Sequence, residues 1–458
     1  MSKVIIMTLS FDDNGGDKVS KFRQQHMPVM WHDISSGGDE TPVISASLND
    51  KATLIGRVGL MFLSSGGSSY RVRAAMNKIS RALGVTTNAD IGIKSLEYTC
   101  IEGDKVCTNA LSNVTYGVNT YKLHYLEIFC DGFKERAGRY SADDCHRILD
   151  TIQNSKGNYS FLFSVLASGA ACGAFAFLLG GGLIDIICAF FAASAGFAVR
   201  KLLLQRHITL FANTSCAVLT SCAAYILLVT AVDMIFGTHF DYQAGYICSM
   251  LFVIPGFPLI TGGIDLAKLD LRSGLERITY ALMVIGVAAT TCAFTATVFK
   301  FSPGEFTEYT MSYPLLLILR VIMSFIGVFG FSVLFNSTPK MAATAGVIGA
   351  IANSLRLLIT DHTELGVSIA AFCGALAAGL MASAIKKHIG FPRITLTVPS
   401  IVIMVPGLLM YKGIYYISRS SFENGLTFIG KAVIIVVALP LGLVFARILT
   451  DKNFRHAS

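Results

Sequence analysis

Two Pro-Gly breaks are the residues best placed to do chemistry in this chain. Pro255-Gly256-Phe257-Pro258 interrupts one apolar run and Pro399 with Pro406-Gly407 interrupts another. Proline removes a backbone donor and clashes with the preceding turn. In lipid such a break is tolerated where it is buried in protein or lines a cavity. Half-helix N-termini at a break can face a carboxylate, and freed carbonyls can take an ammonium or a cation. Thr261 and Tyr411 follow the two breaks and could add hydroxyl contacts. The plainer reading is a pair of packing kinks.

A second set of candidates is charged or polar side chains within or beside apolar runs, where ionisation is costly. Asp185, Arg320 and Arg356 are the clearest, with Asp265 and Asp270 at the end of the first broken run. A buried acid of this kind could carry a coupling proton. Asp270, Arg272 and Arg277 read instead as snorkelling or interfacial charges. No GxSxG, HExxH or Walker A pattern occurs, and the nine histidines form no ligand spacing. No cofactor or metal is expected.

These residues sit on elements that composition places in a membrane. The 458 residues are 53% hydrophobic and 14% charged, against about 25% charged for soluble proteins. The charge is uneven. Residues 1–158 carry 18 Lys+Arg and 17 Asp+Glu, leaving 19 and 12 for residues 159–458. The balance is therefore 18 − 17 = +1 and 19 − 12 = +7. No basic run with interleaved aromatics marks a nucleic-acid surface. The 11 cysteines show no CxxC, and Cys100 and Cys107 read as reduced thiols.

A span needs about 20 mostly apolar residues. Ten candidates lie near 160–180, 183–200, 209–233, 244–264, 277–299, 313–335, 340–359, 366–385, 395–417 and 427–449. Gly180–Gly182 leaves only a tight turn between the first two. Val4–Leu9 is short for a signal h-region and Asp12 and Asp13 follow it, so the N-terminal domain is expected in the cytoplasm. With that orientation, thirteen Lys/Arg fall on inner flanks and four on outer ones. Both termini are then expected inside.

Shifting the chain by about 151 residues lays five spans on five. Ala192–Gly196 matches Ala342–Gly346, and Ile254-Pro255-Gly256 matches Val405-Pro406-Gly407. Asp185 falls opposite Asn336. An odd unit enters the membrane from opposite sides, so the expected fold is an all-α polytopic bundle built as a 5+5 inverted repeat. Many secondary transporters have this plan, with the site at the midplane. The expected domains are a loosely structured extension (1–50), a small cytoplasmic α+β domain (51–158), and repeats at 159–300 and 301–458.

Within the cytoplasmic domain, Gly56–Leu63 reads as a helix, and Ser68 or Ser69 can cap another that Gly84 ends. Alternation over Ile91–Ile101 and Asn113–Thr120 suggests strands. Asn119–Arg136 looks helical, and Ser141-x-x-Asp144 resembles a capping box. Gly169 and Gly173 form a GxxxG helix-packing signal.

Three stretches resemble the threonine/serine exporter (ThrE) family over about residues 56–450. They are Ser65-Gly66-Gly67-Ser68-Ser69-Tyr70-Arg71-Val72 with Ala82-Leu83-Gly84; Pro255–Ile260, followed by Asp265-Leu266 and Ser273-Gly274-Leu275-Glu276-Arg277; and Val405-Pro406-Gly407 with Tyr411. The resemblance implies a bacterial inner-membrane exporter of threonine and serine driven by the proton motive force. Its partners would be an amino-acid substrate, protons and membrane lipid, with room for a homo-oligomer and no nucleic acid. Some two-chain relatives are associated with dicarboxylate export, which leaves succinate-like cargo as an alternative. The family's N-terminal domain has been compared with hydrolases, so a membrane-anchored hydrolase is a third reading; no nucleophile–base arrangement is legible for it. Leu409 stands where the second break would need an equivalent of Pro258.

Overall fold

The computed structural model of the chain describes residues 29–34, 41–113, 116–237, 244–301, 311–418 and 420–455. A helical turn α1 (Trp31–Ile34) precedes α2 (Leu48–Ser64) and α3 (Ser69–Ala82). Ser47 caps α2 by accepting from the Asp50 amide at 3.2 Å. Gly84, with φ of +71°, follows α3, as the stop signal requires. The helix α2 is buried on nearly all sides, with α3, β2, α4 and α6 packed around it. Val72, Met76 and Ile79 of α3 face this core.

The sheet is antiparallel, in the order β1 (Thr86–Ile91), β2 (Ser95–Glu102), β3 (Lys105–Ser112). The expected strand at Asn113–Thr120 does not form. Asn113 follows the end of β3, residues 114–115 lie outside the described residues, and Thr120 already starts a helix. The missed strand β3 is polar and alternates only between half-buried and exposed positions, so its pattern is faint. The helices α4 (Thr120–Asp131), α5 (Phe133–Arg136) and α6 (Ala142–Gln153) complete the domain. The capping box at Ser141 and Asp144 is present in both directions.

The rest is helical. The elements are α7 (Phe161–Leu178), α8 (Leu183–Gln205), α9 (Leu210–Phe236), α10 (Ala244–Cys248), α11 (Gly256–Ala267), α12 (Leu271–Val298), α13 (Tyr313–Leu334), α14 (Pro339–His362), α15 (Gly366–Ile389), α16 (Arg393–Val402), α17 (Gly407–Ser418), α18 (Phe422–Thr450) and α19 (Lys452–Arg455). Eight are long and apolar enough to cross a membrane, and two bent pairs bring the number to as many as 10. Their outward faces carry bare apolar side chains such as Leu227, Phe294 and Val433. That is stable only with lipid as the solvent.

The packing pattern repeats between the halves. The pair α7 and α8 packs as α13 and α14 do, and α11 with α12 as α17 with α18. Across the halves, α7 lies on α13, α11 on α18, and α17 on α12. The loops at 238–243 and 302–310 lie outside the described residues.

Candidate functional site

Both Pro-Gly motifs break their helices. The segments Ala244–Val253 and Gly256–Ala267 meet at 64°, and Arg393–Val402 and Gly407–Ile417 at 46°. The backbone bonding is the same at each. Gly256 donates to the Ile254 carbonyl and Gly407 to the Val405 carbonyl, both at 2.8 Å. Leu259 and Met410 then donate to the carbonyls of Pro255 and Pro406 at 3.2 and 3.1 Å. The two breaks touch. A methyl on Gly256 would stand 3.4 Å from side-chain carbons of Val402 and Val405, and one on Gly407 would stand 3.2 Å from Leu251.

A cavity of about 500 Å³ opens beside the first break. Pro255, Gly256 and Pro258 form one wall. The end of α8 supplies Arg200 and Lys201, α12 supplies Tyr280, and the turn after α13 supplies Asn336. The N-terminal domain closes it with Tyr116–Asn119 and, beyond α6, with Gly157 and Tyr159. Arg200 donates through Nη1 to the Phe252 carbonyl at 2.8 Å. Lys201 donates to Ser164 Oγ at 3.1 Å and lies 5.4 Å from the Phe161 ring centroid. Among the described lining residues there is no Asp or Glu.

Asn336 joins the two parts of the protein. Its φ is +57°, a left-handed conformation that asparagine tolerates. It accepts from the Asn158 amide at 2.8 Å and donates to Asn119 Oδ1 at 3.2 Å. The neighbouring Phe335 carbonyl takes the Thr120 amide at 2.9 Å.

The other expected residues lie elsewhere. Thr261 is buried under the break, bonded to the Phe257 carbonyl at 2.9 Å, and does not line the cavity. Asp265 faces Arg277 at 3.1 Å, with both side chains wholly buried. Asp265 also accepts from the Ser69 amide at 3.1 Å and Ser273 Oγ at 3.0 Å. Arg277 reaches the Gly67 carbonyl at 2.7 Å and Tyr116 Oη at 3.1 Å. Arg277 is therefore no snorkelling charge. Asp270 is half-buried against Arg73 at 2.7 Å, and Arg272 stays exposed while pairing with Asp90. Arg277 was misread because in sequence it resembles a loop charge, but the N-terminal domain covers it.

Pro406, Gly407 and Tyr411 do not line the cavity, and Tyr411 stacks on Tyr415. Asp185 is buried at the start of α8 and accepts from Tyr225 Oη at 2.5 Å, the Gly245 amide at 3.1 Å and the Gly182 amide at 3.2 Å. It stands about 22 Å along the helix from Arg200, at 1.5 Å per residue. Arg320 pairs with Asp361, and Arg356 donates to Asn353 Oδ1 at 2.9 Å. These charges gather near the end of the bundle away from the N-terminal domain. Sequence reading missed Arg200 and Lys201 as site residues because two adjacent cations at a span's end look like flank charges.

The histidines of the N-terminal domain form a separate cluster. His32 bridges Asp143 through Nδ1 and Asp150 through Nε2, the latter at 2.6 Å. Arg57 is buried against Trp31, donates to the His146 carbonyl at 3.0 Å and pairs with Asp150. Hydrogen bonds to Asp150 and Asp143 raise the pKa of His32. Burial, helped by the Arg57 charge, lowers that of His146 to about 4. Burial alone would raise the Asp150 carboxyl, but the hydrogen bonds from Arg57 and His32 outweigh it and lower it. Among the described residues no serine hydroxyl contacts these histidines, and no group of three His, Cys, Asp or Glu is placed for a metal ion. The cluster is built as a salt-linked clamp.

Eight apolar helices of span length and two broken ones, with a largely apolar cavity that carries two cations beside one break, define a polytopic membrane protein of transporter type. The threonine/serine exporter model ThrE matches residues 53–299, and a second model, "Threonine/Serine exporter, ThrE", matches 320–449. The chain belongs to the ThrE family of membrane exporters. It is 21% identical over 417 residues to the "Threonine/serine exporter" of Corynebacterium glutamicum, covering 88% of this chain and 84% of that protein. It is also 25% identical over 233 residues to the "Probable succinate transporter subunit YjjP" of Escherichia coli, covering 48% of this chain and 83% of that one. A Klebsiella aerogenes protein of the same name is 24% identical over 231 residues, 48% of this chain and 82% of its own. No solved structure matches.

Proposed function

We propose that this protein is a multi-pass inner-membrane exporter of small polar amino acids, threonine and serine foremost, driven by the proton motive force. The observation that carries this reading is the pair of abutting Pro-Gly breaks with a cavity of about 500 Å³ beside one of them. That volume is within the range of small-molecule sites, about 300–1,000 Å³. We assign Pro255, Gly256 and Pro258 to the substrate wall, and Pro406, Gly407 and Tyr411 to the packing that supports it. The matched bonding at Gly256 and Gly407 supports a 5+5 inverted repeat, whose halves exchange access by rocking about the breaks. Asp185, held by neutral donors only, is the acid assigned to proton coupling. The loop charges support an orientation with both termini in the cytoplasm.

A second reading, export of a dicarboxylate, is favoured by the two cations of the cavity and the absence of an acid among its described lining residues. Counterflow in reconstituted vesicles tests both. Labelled threonine, serine and succinate are compared with and without a proton gradient. Movement of none of them above empty vesicles overturns the exporter reading.

A further inference from the structure

We propose that Arg200 and Lys201 form a carboxylate-binding end of the cavity, with Arg200 as its anchor. The proposal rests on the exporter reading for the nature of the cargo, but its chemistry comes from the cavity.

Consecutive residues on a helix point about 100° apart, yet both of these side chains line one cavity. They are held there from two sides. Arg200 reaches the Phe252 carbonyl just before the Pro255 break, and Lys201 reaches Ser164 on α7. Each is held by a neutral acceptor. No carboxylate of the described residues lies within 4.0 Å of either. Arg277 and Arg320 are paired instead, with Asp265 and Asp361, and Arg356, which like Arg200 has a neutral acceptor in Asn353, does not line this cavity. A cation without a counter-charge in a low-dielectric wall is costly, and an anionic ligand offsets that cost.

The geometry favours a carboxylate. Arg200 uses Nη1 on Phe252, and its Nε and Nη2 have no acceptor among the described residues. A guanidinium fork with free donors suits a planar carboxylate. Gly256–Pro258, the first turn of the twelve-residue helix α11, opens on the same space and adds its partial positive charge. Threonine, serine and succinate all present a carboxylate to Arg200. Only a dicarboxylate also has a second anionic group for Lys201.

Binding to the full-length chain in lipid nanodiscs tests this, with threonine, succinate and their amides threoninamide and succinamide as probes. Arg200→Gln should weaken both acids by about tenfold or more, which is 1.4 kcal/mol or more. Arg200→Lys should restore part of the loss, and the amides should bind weakly to every form. Lys201→Gln should weaken succinate more than threonine. Thermal unfolding without ligand shows whether Arg200→Gln remains folded; if it does not, the acid-against-amide ratio of the wild type and of Arg200→Lys decides. Unchanged acid binding by folded Arg200→Gln, or amides binding wild type as tightly as acids, overturns the proposal. Acid binding that depends on Arg200 in a protein that moves no substrate would sink the exporter reading and leave the site standing.

Discussion

Asp265 and Arg277 form an ion pair at 3.1 Å with neither side chain exposed, and between them they hold both ends of the Gly67–Ser69 turn. The acid takes the Ser69 amide at the N-terminus of α3, and the guanidinium takes the Gly67 carbonyl. Two stretches that carry the family resemblance, nearly 200 residues apart, therefore meet in one network. The network fastens the N-terminal domain to the first broken helix.

Removing one partner leaves a buried charge. Asp265→Asn or Arg277→Met should destabilise the protein by about 3–5 kcal/mol, whereas losing both should cost less than the sum. Differential scanning fluorimetry in detergent measures this. Proteolysis near residues 65–67 should accelerate in the single variants. Additive losses in the double variant would show that the pair is not coupled.

Asp185 accepts three hydrogen bonds, from Tyr225, Gly245 and Gly182. Asparagine supplies one acceptor oxygen and turns an amide toward donors. Asp185→Asn should cost about 1.5–3 kcal/mol of stability, as for hydrogen bonds to charged groups. If Asp185 carries the coupling proton, the folded variant should still exchange substrate across vesicles but no longer respond to a pH gradient. An unaltered response removes Asp185 from coupling.

The His32 clamp makes a pH prediction. A neutral imidazole has one N–H, so bridging two carboxylates requires the protonated ring. The pKa of His32 is raised, so its stabilisation is fully present below the ordinary value near 6.5 and is lost as pH rises through the folded value. His146 has the opposite sign. Lowered to about 4, it stays neutral near neutral pH, and its contribution is lost as pH falls from about 6.5 toward 4. Trp31, the chain's single tryptophan, lies in this cluster and reports on it. Its fluorescence should shift as pH rises through the raised His32 value, and His32→Gln should abolish that shift. A shift that survives in His32→Gln places its origin elsewhere.

Gly169 tests the helix-packing signal. A Cβ there would lie 2.5 Å from the Phe190 carbonyl oxygen and 2.3 Å from Ser194 Oγ on α8. The carbonyl cannot swing away, so Gly169→Ala should push α7 from α8 at a cost of about 1–3 kcal/mol, as for overpacking. Gly430, with open space around its Cβ, is the control. Equal melting temperatures for Gly169→Ala and Gly430→Ala would contradict the packing.

Much of the fold was legible in sequence because its signals are local. Apolar runs of span length, the Gly180 turn, the Ser141 capping box and both Pro-Gly breaks act through neighbouring residues. The polar strand Lys105–Ser112 was not legible, since its stability comes from pairing with β2 rather than from an apolar face. The site was legible only in part. Pro255, Gly256, Pro258 and Asn336 do line the cavity, but Thr261, Asp265 and Tyr411 serve neighbouring packing.

The sequence alone determined that this is a membrane protein with paired helix breaks, because solvent preference and proline geometry belong to each residue wherever it folds. Only the tertiary structure decided what each charge does. Along the chain Arg200 and Arg277 both read as flank charges and Arg320 as a charge within a span. One faces a cavity with no acid among its described lining residues, one is buried against Asp265, and one pairs with Asp361. Charge is read in sequence, but its partner is set by elements that meet across hundreds of residues, and the partner fixes whether a cation binds ligand or holds the fold.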